Sequence, residues 1–371
     1  MKEGWKIVKL GDVANIVGGS TPKTNIKSYW NGNHCWVTPA ELHGEKYINK
    51  TERSITEEAI AKTNLTLLPK GTVLLSSRAP IGKVSITQVP MYCNQGFKNI
   101  VCFENLFNGY IYYYLIAKVD YLNSLGAGAT FKEISKRVVE SVEIPLPPLP
   151  EQQRIVGILD AVFEKIEALK ANAEKNLENA KALFQQVLAI ELEPQEGWDH
   201  YLFSEIIKLQ SGDNLPAKQF KDGKYPVYGG NGIAGFHNLY NRKGNNIIIG
   251  RVGALCGNVH LVKIPFWLTD NGFEVIISEK VNICIDFLAH YLSYLRLGNF
   301  ARQTAQPVIS NSSLKNIKLT IPPISEQQRI VATLDTLSAK CRHLEEVAQK
   351  TIAECDALKQ SILRQAFNGE L

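Results

Sequence analysis

Several residue patterns in the chain could carry chemistry, but none keeps the spacing that the chemistry requires. Gly230-Asn231-Gly232-Ile233-Ala234-Gly235 has the glycines of a dinucleotide-phosphate loop. Such a loop opens a helix and is followed about 20 residues later by an acidic side chain. The next residues, 236–241, are typical of a turn, and no Asp or Glu occurs between Asp222 and Asp270. The glycines therefore do not predict a dinucleotide site.

Other catalytic and metal-binding patterns are missing from the sequence. It has no Walker A loop, no HExxH zinc motif and no GxSxG nucleophile elbow. Pro147-Pro148 and Pro322-Pro323 lack the context of the motif with which amino-methylating DNA methyltransferases hold a flipped base. The seven histidines and the seven widely spaced cysteines show no metal-ligand spacing, and the cysteines are expected to be reduced thiols. The sequence predicts neither a catalytic site nor a metal site.

An internal repeat indicates the architecture. Glu151-Gln152-Gln153-Arg154-Ile155-Val156 recurs as Glu326-Gln327-Gln328-Arg329-Ile330-Val331, and each copy follows a double proline. A fainter match, Glu3-Gly4-Trp5 with Glu196-Gly197-Trp198, opens each half. The chain is therefore predicted to consist of two half-units, each with a variable segment followed by a shared one.

Three further landmarks align the variable segments, and the first segment is longer because of residues that precede its arginine. Arg78 is matched with Arg251, Gly96-Phe97 with Gly272-Phe273, and Ile134-Ser135 with Ile309-Ser310. Short β-rich runs between Gly, Pro and Asn predict mixed α/β segments. The aromatic-rich stretches 110–116 and 287–295 have helical spacing, which favours a place in the core over a base-stacking surface.

Each shared segment is predicted to be a helix of about 43 residues, or roughly 65 Å. Apolar or small residues recur in steps of four and three, the period of a coiled coil. The predicted apolar seam consists of Ile155, Leu159, Val162, Ile166, Leu169, Leu183 and Val187 in the first helix and Ile330, Leu334, Leu337, Leu344, Leu358 and Ile362 in the second. Ala173, Ala180, Cys341, Ala348 and Cys355 continue it, and Asn176 and Thr351 fill the skipped positions. Matching seams favour an antiparallel pair related by a pseudo-twofold axis.

The charge of the chain is divided by segment. The net charge is +5 overall; the segments 1–148 and 194–323 carry +5 and +4, whereas 149–193 and 324–371 carry −3 and −1. Basic variable segments have the sign required to meet phosphate, and the helices do not. An excess of this size is also common in proteins that bind no nucleic acid, so it favours DNA binding only modestly.

This layout resembles the specificity subunit of type I restriction–modification systems over the whole chain. The two EQQRIV helix entries and the final AFNGEL carry most of the resemblance. Family-like stretches in the variable segments are Gly18-Gly19-Ser20-Thr21-Pro22, Trp36-Val37-Thr38-Pro39, 77–82, Asn94-Gln95-Gly96-Phe97, 225–232 and Asp270-Asn271-Gly272-Phe273. The resemblance implies an α+β fold class: two α/β target recognition domains separated by two long helices that form an antiparallel, pseudo-twofold symmetric coiled coil.

The resemblance also implies a function without catalysis in this chain. Each recognition domain would read one half of a bipartite, asymmetric DNA site, while the helices set the half-site spacing and dock two modification subunits. Restriction subunits would complete the complex, and S-adenosylmethionine, ATP and Mg²⁺ would serve the partner subunits rather than this chain. The domains are expected at 1–148 and 194–323, with spacer helices at 149–193 and 324–371. A cytoplasmic location is expected.

Polar side chains near glycine-rich turns are the candidates for DNA contact, because base edges and phosphates are met by Arg, Lys, Asn, Gln, Ser and Thr. In the first domain they are Thr21, Lys23, Lys27, Arg78, Lys83, Gln95, Lys98, Thr130 and Lys132. In the second they are Lys218, Lys221, Lys224, Tyr228, Asn231, Arg251, Asn258, Asn271, Gln306 and Ser310. Arg78 and Arg251 are favoured as an equivalent pair. A solvated surface charge is the alternative for any one lysine, and a structural turn for residues 94–97 and 270–273.

Two other functions compete with DNA recognition within a complex. A free-standing DNA-binding regulator would need no partner-facing helices, and the apolar residues Val156, Ile158, Phe163, Phe184 and Leu188, which lie off the seam, argue against it. A methyltransferase fused to its own reader is disfavoured by the missing catalytic motifs. One departure from the family pattern is that the first domain begins almost at Met1, so the scaffold is expected to come mainly from the central and C-terminal helices.

Overall fold

The structure is a computed structural model that describes residues 4–128, 132–302 and 306–371. It forms two compact units. The first unit comprises Met1–Ala173 and Lys350–Leu371, and the second comprises Glu174–Gln349. Each unit is therefore built from one variable segment together with parts of both long helices.

The variable segment of the first unit contains ten strands and four short α-helices within its described residues. The strands are β1 (Lys6–Lys9), β2 (Ala14–Gly18), β3 (Trp30–Val37), β4 (Tyr47–Ile48), β5 (Arg53–Ile55), β6 (Val73–Leu75), β7 (Val84–Thr87), β8 (Tyr92–Cys93), β9 (Lys98–Cys102) and β10 (Glu143–Leu146). The helices are α1 (Glu57–Lys62), α2 (Asn108–Ala117), α3 (Val119–Ser124) and α4 (Lys136–Glu140). The long helix α5 (Leu149–Glu191) follows.

The second variable segment has nine strands and three short helices within its described residues. The strands are β11 (Asp199–Leu202), β12 (Ile207–Ser211), β13 (Tyr225–Gly229), β14 (Gly232–His237), β15 (Asn246–Gly250), β16 (Val259–Val262), β17 (Trp267–Leu268), β18 (Gly272–Ile277) and β19 (Lys318–Ile321). The helices are α6 (Phe203–Ile206), α7 (Ile285–Tyr294) and α8 (Asn311–Leu314), and the long helix α9 (Ile324–Asn368) follows.

The two units share one sheet plan. A central sheet has the order β2-β9-β6-β7-β4 in the first unit and β12-β18-β15-β16 in the second. A small three-stranded sheet has the order β5-β3-β8 in one and β14-β13-β17 in the other, and a two-stranded ribbon, β1-β10 or β11-β19, completes each unit. The first unit adds β4 and α1, which lie in the stretch that makes its variable segment longer.

Each unit buries the beginning of one long helix and the end of the other. The core of the first unit includes Ile155 and Leu159 of α5 and Leu363 and Phe367 of α9. The core of the second includes Leu188 and Leu192 at the end of the first long helix and Ile330 and Leu334 at the start of the second. Because the start of one long helix packs with the end of the other in both units, the two helices run antiparallel within each unit. The predicted α+β fold class, with two mixed α/β domains and two long antiparallel helices, is confirmed.

Ion pairs join the helices within each unit. Lys170 Nζ lies 2.6 Å from Asp356 Oδ1, and Lys359 pairs with Glu167, both in the first unit. In the second unit, Arg329 Nη2 lies 2.6 Å from Glu191 Oε2. These exposed pairs contribute little stability individually, but they fix which residues of the two helices face each other.

The predicted seam is wrong at four leucines. Leu169, Leu183, Leu344 and Leu358 are between 41% and 52% exposed. The buried stripe instead continues every seventh residue through small side chains, at Ala173 and Ala180 in α5 and at Cys341, Ala348 and Cys355 in α9. The other apolar seam positions that we named are buried or half-buried, whereas Asn176, which fills a skipped position, is exposed. Small side chains leave little room between two helices for a flanking leucine, so these four point toward solvent.

The apolar residues off the seam do not form a partner-facing surface, and that interpretation is also wrong. Val156 and Phe163 pack into the core of the first unit, and Phe184 and Leu188 into the core of the second. Ile158 is half-buried. These side chains attach each unit's sheets to the long helices, a role that helical periodicity cannot distinguish from docking to another subunit.

The repeated EQQRIV sequence has a structural cause. Gln152 is fully buried, and its Oε1 accepts a 2.8 Å hydrogen bond from Phe107 N at the start of α2. Its Nε2 donates to the carbonyls of Asn105 and Pro147, each at 2.9 Å. Gln327 makes the same three bonds, to Cys284 N, Asn282 O and Pro322 O. One glutamine side chain in each unit thus satisfies three backbone groups where the aromatic helix, the ribbon and the long helix meet.

Candidate nucleic-acid interface

Four loops of the first unit converge at one end of its central sheet, and together we call them the first loop cluster (residues 18–22, 76–78, 94–98 and 133–134). Ser77 N donates to Gly96 O at 2.8 Å, and Ile134 N donates to Ser77 O at 2.9 Å. The hydroxyl of Thr21 donates to Gln95 Oε1. The cluster therefore brings predicted contact residues from three separate stretches of sequence into one place.

Glycine makes the close approach of these loops feasible. A Cβ on Gly19 would lie 2.0 Å from Asn94 O, and a Cβ on Gly212, after the corresponding strand of the second unit, would lie 2.3 Å from Leu268 O. Ser20 N and Asp213 N, one residue later, donate to Cys93 O and Leu268 O, both at 2.9 Å. A side chain at either glycine would separate the central sheet from the small sheet.

The second loop cluster (residues 229–232, 250–253, 269–272 and 307–310) has the same backbone pattern. Arg251 N donates to Asn271 O and Ile309 N donates to Arg251 O, both at 2.9 Å. Gly253 N donates to Pro307 O at 3.1 Å. Asn231, Arg251 and Asn271, predicted separately from the sequence, lie in the loops of this cluster.

The predicted equivalence of Arg78 and Arg251 is wrong by one residue. The backbone bonds of Arg251, to Asn271 O and from Ile309 N, match those of Ser77, to Gly96 O and from Ile134 N. Arg78 accordingly matches Val252, because Arg78 bridges to Glu133 and Val252 to Val308. The alignment of Gly96-Phe97 with Gly272-Phe273 shifts likewise, since Lys98 and Phe273 pair with Gly18 and Ser211. A shift of one residue in extended chain points a side chain to the opposite side.

A charge cluster occupies the first site. Arg78 Nε lies 2.9 Å from Glu133 Oε2, and Lys98 Nζ lies 3.1 Å from Glu133 Oε1 and 3.3 Å from Ser77 Oγ. Burial raises the pKa of Glu133, but the hydrogen bonds from Lys98 and Arg78 outweigh it and leave that pKa below its usual value. The carboxylate therefore stays ionised and holds two cations, of which Arg78 is the more exposed.

The second loop cluster has a cation, Arg251, but no counterpart of Glu133. The guanidinium of Arg251 lies 5.3 Å from the centroid of the Phe273 ring, and its Nη1 lies 3.3 Å from Asp270 O. Its Nε is buried and has no hydrogen-bond partner within the described ranges. Val308 stands where the first unit has Glu133. Arg251 forms no ion pair with the described residues, so its charge is not neutralised locally.

The remaining candidates for DNA contact in the first unit differ in how exposed their side chains are. Lys23, Lys27, Gln95 and Lys132 are exposed. Lys83 is half-buried, and its Nζ donates to Pro39 O at 3.1 Å, so this side chain braces the loop after β3. Thr130 lies outside the described residues.

In the second unit, most candidates are exposed. These are Lys218, Lys221, Lys224, Asn231, Asn258, Asn271 and Gln306. Tyr228 is half-buried against Phe266, and burial raises its pKa. Ser310 is the N-cap of α8, where its hydroxyl accepts from Ser313 N at 3.3 Å. Its role as a helix cap is visible in the structure, whereas DNA contact by any of these residues stays a prediction.

A second group of polar residues, which the sequence did not reveal, attaches the sheets to the long helices. In the first unit, Asp160 accepts from Tyr113 Oη and pairs with Lys46, whose ammonium lies 4.8 Å from the centroid of the Tyr113 ring. Burial and the Asp160 hydrogen bond raise the pKa of Tyr113. In the second unit, His290 Nε2 lies 3.4 Å from Asp335 Oδ1. The sequence repeats a Leu-Asp pair after each EQQRIV, Leu159-Asp160 and Leu334-Asp335, and this repeat was the available signal.

The described residues contain no group of three His, Cys, Asp or Glu side chains placed to hold a metal ion. No helix within the described ranges combines the length and the apolar character that a membrane span requires.

Comparisons with known proteins agree with this geometry. The family described as the type I restriction modification DNA specificity domain matches residues 2–179 and 195–354. The specificity subunit of type I restriction enzyme MjaIX from Methanocaldococcus jannaschii is 31% identical over 99% of this chain and 93% of its own length. The EcoprrI specificity subunit from Escherichia coli is 28% identical over 92% of this chain and 89% of its own length.

Solved structures show the same fold. A chain from a study of complex assembly and conformational transition of the type I R-M system has a TM-score of 0.81 and 20% identity, covering 100% of this chain and 99% of that one. The HsdS subunit from Thermoanaerobacter tengcongensis has a TM-score of 0.61 and 20% identity, covering 100% and 98%. With the family match across both units, these findings show that the chain belongs to the type I restriction–modification DNA specificity family.

Proposed function

We propose that each unit reads one half of a bipartite, asymmetric DNA site through its loop cluster. Membership of the family makes the chain a DNA sequence-recognition subunit without a catalytic site of its own; the proposal concerns how it divides the work. The observation that carries it is that one backbone frame holds two different polar sets. The first cluster presents Arg78 with Glu133 and Lys98, and the second presents Arg251 on Phe273.

Different polar groups in one frame favour two unlike half-sites. Arginine and lysine donate to the base edges of guanine and to phosphates, and a carboxylate accepts from the amino group of cytosine. Glu133 is therefore available for a readout that Val308 cannot provide. Residues 1–148 and 194–323 act as target recognition domains, and residues 149–193 and 324–371 act as the spacer that sets the half-site gap.

The long helices dock the partners. Two modification subunits and the restriction subunits assemble with this chain, and S-adenosylmethionine, ATP and Mg²⁺ serve those partners. The exposed apolar side chains of these helices include Leu169 and Leu358 in the first unit and Leu183 and Leu344 in the second, and we assign this contact to them. A DNA-directed complex of this kind works in the cytoplasm.

The test begins with the assembled complex. The chain is purified with its modification subunit, its mass is measured by light scattering, and a pool of randomised duplexes is selected for binding and sequenced. We expect one chain with two modification subunits and a split motif with a fixed gap. A chain that ignores the modification subunit and retains a continuous motif would instead be a free-standing regulator.

Docking is tested one unit at a time. Leu169→Asp with Leu358→Asp should cost the complex one modification subunit, and Leu183→Asp with Leu344→Asp should cost the other, because a buried carboxylate without a partner is strongly unfavourable. Leu67→Asp, at a leucine that is 50% exposed outside the helices, is the matched control and should leave the mass unchanged. Loss of both subunits from either pair would contradict separate docking sites.

A further inference from the structure

The small sheet of the second unit exposes two large apolar side chains. On β14, the edge strand of this sheet, Ile233 is 55% exposed and Phe236 is 54% exposed. In the first unit, the residue in the place of Phe236 is Ser54 on β5, because Ser54 pairs with Cys35 as Phe236 pairs with Pro226. The second unit therefore presents an exposed aromatic ring where the first has a half-buried serine.

A β-bulge directs the two exposed side chains to one face. Tyr228 pairs with Ile233 and Pro226 pairs with Phe236, whereas Ala234 has no partner on β13. In a regular strand, residues 233 and 236 would point to opposite faces. One extra residue restores the alternation, so Ile233 and Phe236 lie on the same face of the hairpin.

Three lysines lie beside the hairpin, on the segment that precedes β13. The segment 217–224 packs onto β14, because Lys221 N donates to His237 Nδ1 at 3.1 Å and a Cβ on Gly223 would lie 2.2 Å from His237 O. This packing places Lys218, Lys221 and Lys224 beside the hairpin, all three exposed and without an ion pair among the described residues. The turn that begins the strand, residues 229–232, belongs to the second loop cluster. A hairpin with exposed apolar side chains on one face and a lysine-bearing segment packed on the other is complementary to a nucleic acid rather than to an apolar protein surface.

From this arrangement we propose that the β13–β14 hairpin enters the DNA major groove and that Ile233 and Phe236 contact the 5-methyl group of a thymine in the half-site of the second unit. The inference rests on the proposed DNA-recognition function and adds the base group that is read. The major groove accepts a two-stranded ribbon, and the thymine methyl is the apolar group in its recognition code. The lysines then meet the flanking phosphates.

The test compares thymine with uracil, which lacks only the methyl group. The duplex selected by the wild-type complex is remade with deoxyuridine in place of each thymine in turn, and the dissociation constant is measured for each. At one or two positions in one half-site we expect binding to weaken about four-fold, the equivalent of about 0.8 kcal/mol per buried methyl-sized group. Phe236→Ala and Ile233→Ala should bind the two duplexes equally well at those positions.

Ile264→Ala is the matched control, since Ile264 is 57% exposed in the same unit and lies outside the hairpin. It should keep the full thymine preference, and all variants should keep the melting temperature of the wild type. Failure of Phe236→Ala to assemble with the modification subunit would assign the face to protein contact and overturn the proposal.

The proposal is also overturned if no thymine position is sensitive, or if Phe236→Ala keeps the preference. If the wild-type complex selects no duplex at all, the proposed function fails as well, and that result is distinguishable from a complex that binds DNA but ignores the methyl group.

Discussion

The two units place a cation at the same point of the central sheet by different means. In the first, the cation is Lys98 on β9, which reaches Ser77 and Glu133. In the second, the residue in the place of Ser77 is Arg251, and the residue in the place of Lys98 is Phe273, on which the guanidinium rests. The second unit thus carries its cation on the neighbouring segment and has Val308 in the place of the Glu133 carboxylate.

This difference separates the backbone frame of a unit from the side chains that the frame carries. The backbone bonds between the loops are the same in both units, and so are the three bonds of Gln152 and Gln327. The side chains above that frame differ in charge, size and hydrogen-bonding type. A backbone frame that does not depend on those side chains can carry two different DNA-contacting surfaces. The proposed reading of two unlike half-sites requires such a frame.

The attachment of the sheets to the helices differs in the same way. The buried glutamine of each unit accepts a hydrogen bond from the backbone N–H at the start of α2 or α7. Counted from that N–H group, Tyr113 and His290 occupy equivalent positions in the two helices. Both side chains reach the repeated aspartate, Asp160 or Asp335. The contact is a phenol in one unit and a titratable imidazole in the other.

The largest expected effect separates the cores of the two units. Phe367→Ala should destabilise the first unit by about 3–5 kcal/mol, and Leu192→Ala the second by about 2–5 kcal/mol, because each leaves a cavity in a packed core. Amide hydrogen exchange, followed by unit, should show lost protection only in the unit that carries the change. Equal loss in both units would show that they unfold as one body. Leu358→Ala, at an exposed leucine, is the control.

The next effect tests whether the frame is shared. Gln152→Leu and Gln327→Leu should each cost about 1–3 kcal/mol for every buried backbone group left without a partner. Thermal unfolding should show similar losses for the two variants. The neighbouring Gln153→Leu and Gln328→Leu, both at exposed positions, should have almost no effect. A large loss for only one of the buried pair would argue against an equivalent role.

Substitutions in the two loop clusters should affect the two half-sites separately. Arg78→Ala and Arg251→Ala should each relax one half-site, by about 1–3 kcal/mol if the lost contact is a bidentate contact to a base. Binding selection with each variant gives the measurement, and the other half-site is the internal control. Because Arg251 also bonds Asp270 O, its variant should lose some thermal stability as well, unlike the exposed Arg78. A variant that relaxed both half-sites would contradict separate readers.

The smallest expected effect concerns pH. Burial lowers the pKa of His260 below the ordinary histidine value of 6.5, and its Nε2 is buried without a hydrogen-bond partner in the described part of the chain. The unfolded chain therefore binds a proton more readily than the folded one, so the second unit should lose stability as the pH falls below about 6.5. Hydrogen exchange of the second unit near pH 7.5 and pH 5.5 measures this loss. His260→Gln should weaken the dependence, and an unchanged dependence would rule out His260 as its source.

Much of the fold could be predicted because it is written in local patterns. The repeat, the long helices and the buried aromatic stretches follow from motif spacing and helical period. The pairing of Arg78 with Arg251 could not be predicted, since two arginines beside glycine or proline turns look alike in sequence, and only the bonds to residues 96, 134, 271 and 309 set the register. The exposed hairpin face was missed because it depends on a bulge at residue 234, which places Ile233 and Phe236 on the same face.

The sequence by itself determined that the chain has two half-units joined by two long helices, and that the loops we propose to contact DNA are rich in glycine. These properties depend on composition and on neighbours along the chain. The tertiary structure alone decided which cations are neutralised, which leucines face solvent and which apolar side chains share a face. Those properties depend on groups far apart in sequence: Glu133 lies 55 residues from Arg78, and hydrogen bonding and burial act through space rather than along the chain.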